Sequence, residues 1–504
     1  MIRLNPEDAS IYNRRGNVYY AQGNYDAAIA DYNEAIRLAP EDAVFYSNRA
    51  NTRYKQQDYA GAIEDYSEAI RLDPNNAELY VKRADTWTLR KNYVEAISDL
   101  DEALRLDPEQ AYLYRTYRGL VRHQQQDYAG AMVDFNEALR LPGEQTEDAL
   151  AYNGRGNVYD AQKEYDKAIA DYNEAIRLAP ENAVLYSNRA NTRYKQQDYA
   201  GAIEDYSEAI RRVPESAQYY NARGLAYRDQ GDLTAAIADF TRAIELEPRN
   251  TSSYGNRVVA YFNQENYAGA VNDLTEMIRL SPELPPTSMA QLYFFRGRAY
   301  ALQQDYPSAI QDFNQAISLY PDYADAYKAR GDVRRSLDEH EAAIADYDQA
   351  LSYLVFSGIG VQFDSSPDGG LMATQVFANS PASREGVRVG EQILAVNGVS
   401  TLGINTQEEQ NQLINSQIRN PAISQVTLQI RREGGNELEI KLTKAQITSP
   451  AAAEVYNSRG LSRAALGITD GAIADLQEAA RLFQEQDNME QYQLAQDKIR
   501  ELQQ

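Results

Sequence analysis

Apolar and small residues fall at two nested periods along this chain. Within Tyr12–Pro40, Tyr12, Gly16 and Tyr19 recur at i, i+4, i+7 on one helical face. After the turn Gln22-Gly23-Asn24 a wider stripe follows, Ala28, Ile29, Tyr32, Ala35, Ile36 and Leu38, until Pro40 stops it. The same phrase returns at Phe45–Pro74 and onward. Its outer period is marked by Arg15, Arg49, Arg83, Arg118, Arg155, Arg189, Arg223, Arg257, Arg296 and Arg330, mostly 34 residues apart, with Arg459 far downstream. Such a period predicts a solenoid whose unit cannot bury its apolar face alone. Gly16 and Ala28, with Ala50 and Ala62 in the next unit, let paired helices approach closely; a bulky side chain there would overpack by about 1–3 kcal/mol.

Tyr12, Gly16, Tyr19, Gly23, Tyr25, Ala28, Tyr32, Ala35 and Pro40, with their counterparts, resemble the tetratricopeptide repeat family over about three quarters of the sequence. The resemblance implies helix–turn–helix units in a right-handed superhelix whose concave groove holds peptides or partner proteins. Two joints break the rhythm and are where curvature is expected to change: 142–148 (PGEQTED) and 283–288 (ELPPTS), where proline removes backbone donors. Between them, Tyr152–Arg211 repeats Tyr12–Arg71 with seven differences, among them Arg14/Gly154 and Phe45/Leu185, so a four-repeat block is duplicated. The fourth repeat carries one extra residue before Arg118. At the start, Met1–Asp8 aligns with the end of a repeat, which suggests a missing upstream portion that could hold a signal peptide.

After Leu354 the pattern changes. The stretches 358–363 (GIGVQF), 371–377 (LMATQVF), 390–398 (GEQILAVNG) and 425–431 (QVTLQIR) read as strands. Gly434-Gly435-Asn436 reads as a hairpin turn into 437–442, and Thr406–Arg419 reads as a helix ending before Pro421. SGIGVQF, NSPASREGVRVGEQILAVNG and the helix from Thr406 resemble PDZ domains of the type carried by bacterial high-temperature-requirement and carboxyl-terminal-processing proteases. This implies a small α/β domain that binds peptides by strand addition. By that resemblance Gly358, Ile359 and Gly360 offer backbone N–H groups to a terminal carboxylate. Val361, Gln362 and Phe363 form the receiving strand, and Gln407, Asn411 and Ile414 face it. Gln410 and Asn411 stand where small or branched apolar residues are usual, so the groove either binds peptide with a polar wall or serves as a spacer or docking surface.

The predicted architecture is mostly α: a right-handed α-solenoid of about eleven repeats, with one PDZ-like domain between the tenth and eleventh. The expected divisions are 1–8 (tail of a preceding repeat), 9–144 (repeats one to four), 145–282 (five to eight), 287–354 (nine and ten), 355–447 (PDZ-like) and 448–504 (repeat eleven plus a capping helix). If domain termini lie together the PDZ-like unit is an insertion, and the eleventh repeat stacks on the tenth.

A formal charge of −24 argues against nucleic acid and anionic membrane surfaces. Most of the 39 tyrosines sit on packing positions. The chain has no cysteine, so disulfides and thiolate metal sites are excluded, but no compartment is chosen: cytoplasmic is the default, periplasmic if a signal is missing. No apolar run approaches the roughly 18–20 residues of a membrane span. No catalytic or metal-ligating set and no cofactor are expected. His123 and His340 lie in different repeats and read as solvated, and no serine elbow, Walker loop or dinucleotide fingerprint occurs. Asp31 recurs once per repeat, like Arg15, which predicts a structural ion pair within each unit or with its neighbour.

Some repeat proteins clamp C-terminal carboxylates with Lys and Asn on successive first helices, and here Asn17, Asn48 and Lys82 match that pattern. Asn13 replaces an expected lysine, Glu78 reverses a charge and Ala222 removes a cation from the second copy, so the clamp is half present. With Asn51, Asn157, Asn188 and Asn191 these are the candidate groove residues, able to hydrogen-bond an extended backbone. The expected function is a non-enzymatic scaffold for partner proteins or peptides, those with free C-termini among them; an adaptor or regulatory subunit of a protease is the alternative, and an enzyme the third class.

Overall fold

A computed structural model describes residues 7–141, 145–366, 370–377, 380–402, 404, 406–419, 423–432 and 435–504; the start of the chain, Gly434 and Pro421 lie outside these. The residues cluster into two units, Met1–Ala260 and Tyr261–Gln504. Each is built from antiparallel helix pairs. In the second repeat the pair is Ala43–Lys55 and Tyr59–Leu72.

The pairing follows from the small residues. A Cβ on Gly16 would lie 2.6 Å from the Tyr32 ring, and one on Gly156 2.7 Å from Tyr172. Alanines such as Ala28, Ala35, Ala50 and Ala62 are fully buried at the same crossings. The turn between helices places one residue at positive φ: Gly23 in the first repeat, but Gln57, Lys91, Gln126, Lys163 and Gln197 in others. Asp58 and Asp198 then cap the second helices through the N–H groups of Gly61 and Gly201.

The Arg–Asp series is realised within each unit and across to its neighbour. Arg49 grips Asp65 with Nε and Nη2 at 2.9 and 2.6 Å, and its Nη1 reaches Asn33 of the preceding repeat at 2.6 Å. Arg83 does the same to Asp99 and Ser67, and Arg189 to Asp205 and Asn173. Outside repeat four, where residue 115 is an arginine, the guanidinium also lies near the ring three residues earlier, as Arg49 does over Tyr46 at 5.6 Å. The tyrosine at that position is thus a platform for the arginine as well as a packing residue.

Both joints are local changes in helix length. The second helix of repeat four, Tyr128–Ala138, has 11 residues, where repeat one has 14, and the next helix, Gln145–Ala161, has 17. There a Cβ on Gly154 would sit 2.5 Å from Phe135 and 3.2 Å from Leu120, which explains why this copy carries glycine where the other has Arg14. At the second joint the helix begins at Pro286, earlier than the prolines suggested, because a first-turn residue has no helical N–H bond to lose.

In the second unit the PDZ-like domain is an insertion. Strand β1 (Val355–Gly358) leaves helix His340–Leu354 and pairs antiparallel with β8 (Ala445–Thr448), from Val355↔Thr448 to Gly358↔Ala445. The eleventh repeat, Ala452–Ala465 and Thr469–Glu485, packs directly on the tenth through Tyr347, Leu351, Val455, Leu482 and Phe483. Arg459 supplies the same two-way grip, to Asp475 at 2.6 Å and back to Asp348 at 2.5 Å. Helix Met489–Leu502 covers this repeat with Ala495 and Ile499 buried, whereas Leu494 points outward, 55% exposed.

The inserted domain holds β2 (Val361–Ser365), β3 (Leu371–Val376), β4 (Gln392–Val396), β5 (Val399–Ser400), β6 (Gln425–Arg431) and β7 (Glu437–Thr443). The sheet order is β2-β3-β4-β6-β7, with β5 paired to β4. One face is closed by the helix Gln407–Leu413, continued by a wider turn at Ile414–Arg419. Thr406 and Glu409 cap it reciprocally: each side chain accepts from the other's N–H.

Candidate functional site

The groove candidates of the repeats are brought together by two recurring bonds. Tyr32 donates to Oδ1 of Asn17 at 2.8 Å, Tyr66 to Asn51 at 2.7 Å, Tyr172 to Asn157 at 2.8 Å and Tyr206 to Asn191 at 2.6 Å. Burial raises these hydroxyls, Tyr32 to about 12, so they stay protonated donors at neutral pH. The hydroxyl takes one lone pair of each amide oxygen and thereby orients the NH2 as the side that donates. The second bond links successive first helices: Asn48 Nδ2 to Asn13 Oδ1 and Asn188 Nδ2 to Asn153 Oδ1, each 2.8 Å. Asn13, where a clamp would carry lysine, serves as this acceptor.

Asn157, Asn188 and Asn191 line one cavity of 310 Å³ with Asp160, Tyr172, Tyr194 and Lys195. Asp160 replaces Tyr20 of the first copy and is held by Thr192 at 2.8 Å and Lys195 at 2.5 Å. The duplicated grooves therefore differ in charge arrangement. Lys82 stands apart, on a 430 Å³ cavity with Val81, Leu100, Tyr117, Leu120 and Val121, and its ammonium pairs with Glu78 at 2.8 Å. Lys82 belongs with Asn17 and Asn48 to the half-clamp of the first copy, and Glu78, the residue that reverses a charge there, is the group its ammonium meets. The spacing of 15 between each of these asparagines and its tyrosine was visible in the sequence and would have found the hydroxyl–amide bond.

In the PDZ-like domain, Gly358, Ile359 and Gly360 are buried, not open. The Ile359 carbonyl accepts from Ala382 N–H and that of Gly360 from Phe377 N–H, both at 2.9 Å, which fixes the loop's peptide planes. Gly360 has φ +79°, and a Cβ there would meet Cβ of Ser380 at 2.1 Å, so only glycine fits. Val361 and Ile414 pack against one core with Phe363, Leu413 and Val426, so strand and helix do face each other. Gln362 is exposed. Gln407 and Asn411 lie on the facing helix, their side chains outside the described residues.

The residue that joins the two walls is Gln410, which sequence reasoning treated only as a polar intruder. It is 2% exposed and donates from Nε2 to the Phe363 carbonyl at 2.6 Å.

Family models for the tetratricopeptide repeat match residues 16–57, 50–86, 149–182, 187–254, 222–285 and 297–334, and the PDZ domain model matches 356–431. The chain is a tetratricopeptide repeat protein with a PDZ domain. Both are modules that bind proteins or peptides. Among curated proteins it is similar to the carboxy-terminal processing protease CtpA of Bacillus subtilis (strain 168), 29% identical over 118 residues. That covers 22% of this chain, which spans only 24% of that protease. Among solved structures it is similar to the C-terminal part of a TPR repeat-containing protein from Cytophaga hutchinsonii, at TM-score 0.44 and 16% identity over 49% of this chain and 98% of that one. YrrB, a TPR protein described as having an unusual peptide-binding site, matches at TM-score 0.34 and 22% identity, covering 39% of this chain and 97% of its own.

The repeated aspartates are committed to arginine, and among the described residues no group of three or more His, Cys, Asp or Glu is placed to hold a metal ion. His123 is half-buried against Tyr128, its ring lowered in pKa by burial, and His340 is 18% exposed, so neither is the solvated residue the sequence suggested. Among the described residues no helix is long and apolar enough to cross a membrane.

Proposed function

We propose that this chain is a non-enzymatic interaction scaffold with two kinds of peptide site. The repeat groove holds an extended segment of one partner, whose backbone carbonyls accept from the amide NH2 groups of Asn17, Asn51, Asn157 and Asn191. The PDZ domain takes a second segment by strand addition to β2. The observation that carries the first site is the hydroxyl–amide bond, since four tyrosines orient four asparagines as donors along one face. Two linked sites of modest strength raise avidity through effective concentration, without new contacts.

Photo-reactive side chains at positions 157 and 191 test this, with position 204 on a second helix as control. A partner captured at both groove positions and not at 204, whose recombinant segment loses affinity for Asn157→Ala and Asn191→Ala, supports the scaffold. Equal capture at 204 refutes the groove. The PDZ region's likeness to a carboxy-terminal processing protease supports a second reading, in which the chain is an adaptor that presents substrates to a protease. A captured protease that is lost on deletion of 356–447 selects that reading.

A further inference from the structure

The free edge of the PDZ strand is already in use. Strand β2 is the outermost of its sheet, so one row of its backbone groups is unpaired by any strand. On the β3 side, the Gln362 carbonyl accepts from Thr374 Oγ1 at 3.3 Å. The register with β3 shifts between Gln362 and Phe363, and the Phe363 carbonyl is turned toward the facing helix, where it accepts from Gln410. A peptide adding to this edge would donate its N–H there. In this structure that position is filled by Nε2 of Gln410, at 2.6 Å from the facing helix.

The other half of the same amide is unsatisfied. Among the described residues, Gln410 Oε1 is buried with no hydrogen-bond partner. The residues of the loop that should receive a carboxylate are buried as well, and a Cβ on Gly360 would meet Ser380.

We infer that Gln410 gates the PDZ groove: its amide caps the Phe363 carbonyl in the absence of ligand and yields it to the N–H of an incoming peptide strand. The exchange is close to balanced for the strand, because Phe363 keeps one donor in either state. For Gln410 release gives up its bond to the strand, and the incoming peptide meets that cost; the unpaired Oε1 keeps it to about one ordinary hydrogen bond. The occupant is an extended peptide, since only a backbone presents an N–H at strand spacing to this edge. The gate rests on the proposal that β2 is the peptide site, and it makes the groove selective for ligands that bind well enough elsewhere to displace the amide.

The test uses the full chain and a phage-displayed library of random C-terminal heptapeptides, followed by anisotropy titration of a selected synthetic peptide. Gln410→Met keeps the side-chain length and removes the plug; Gln410→Glu keeps size and acceptors and removes the donor. Competition worth one ordinary hydrogen bond predicts that both variants bind the selected peptide about fivefold tighter than the parent. In the parent, the Gln410 side-chain NH2 signals, slow to exchange in the free protein, lose protection on peptide addition. Equal or weaker binding by both variants, or NH2 signals unchanged by bound peptide, overturns the gate while leaving the groove in place. Selection of no peptide by parent or variants overturns the strand-addition reading itself.

Discussion

Removing Arg83 tests whether the repeated ion pair is structural, because the adjacent repeat supplies its own control. Asp99 is 6% exposed and, among the described residues, is held by Arg83 alone, at 2.8 and 2.6 Å; burial raises its pKa while the arginine pulls it down. Asp65, one repeat earlier, is 3% exposed and has a second cation, Arg53, at 2.9 Å. Trp87, the single tryptophan, stands in repeat three where Arg53 stands in repeat two, so its fluorescence reports on the Arg83 site.

In Arg83→Met the buried carboxylate loses its counter-ion. It escapes by protonation, which near pH 7 costs at most about 4 kcal/mol from a reference pKa of about 3.9. Stripping one partner from a buried pair costs ~3–5 kcal/mol, and the Arg83 side chain is 20% exposed, so water softens the loss. About 2–4 kcal/mol is therefore expected. In Arg49→Met, Asp65 keeps Arg53 and loses only charge-assisted bonds, for about 1–2 kcal/mol. The sign of the pH dependence is also fixed. A carboxyl whose folded pKa is raised binds its proton in the folded state first, so the Arg83→Met deficit shrinks as pH falls from 7 to 5, to about 1.5 kcal/mol. Urea unfolding followed by Trp87 fluorescence and by amide hydrogen exchange measures both variants. Equal losses for the two, or a loss under about 1 kcal/mol for Arg83→Met, refutes the buried-pair reasoning and makes the series a solvated one.

Other outcomes follow from single positions. Gln197→Gly relieves a non-glycine residue held at φ +65° and should stabilise its repeat by about 0.5–1 kcal/mol, seen as a higher urea midpoint. Gly154→Arg restores the residue of the first copy but drives a Cβ into Phe135; it should cost at least ~1–3 kcal/mol, while Arg14→Gly changes stability by far less. His123 has its pKa lowered by burial, so the unfolded chain binds its proton first. Stability should fall as pH drops below about 6.5, and the melting temperature of His123→Gln should be less sensitive to pH in that window.

What could be read without a structure was whatever the repeat copied. Arg15 and Asp31 recur once per unit, while the Gly16 position stays small in most units and the Tyr32 position large and apolar or aromatic, so their shared period announced a packing role, and the ion pair was deducible from two residues that always travel together. The outward half of that grip was harder to see, because its acceptor varies among Asn33, Ser67, Asp101 and Thr241, so no single residue type marks it. The duplicated block shows the same limit: Gly154 and Asp160 are two of seven differences, yet one answers a helix crossing and the other rewires a groove lysine. Neither effect is local in sequence. Gln410 is the extreme case. It occurs once, on a helix 47 residues from the strand it serves, and its meaning lies in an unpaired oxygen and a borrowed carbonyl. Periodicity finds what is selected for stacking; a residue that controls access to one edge has no reason to repeat.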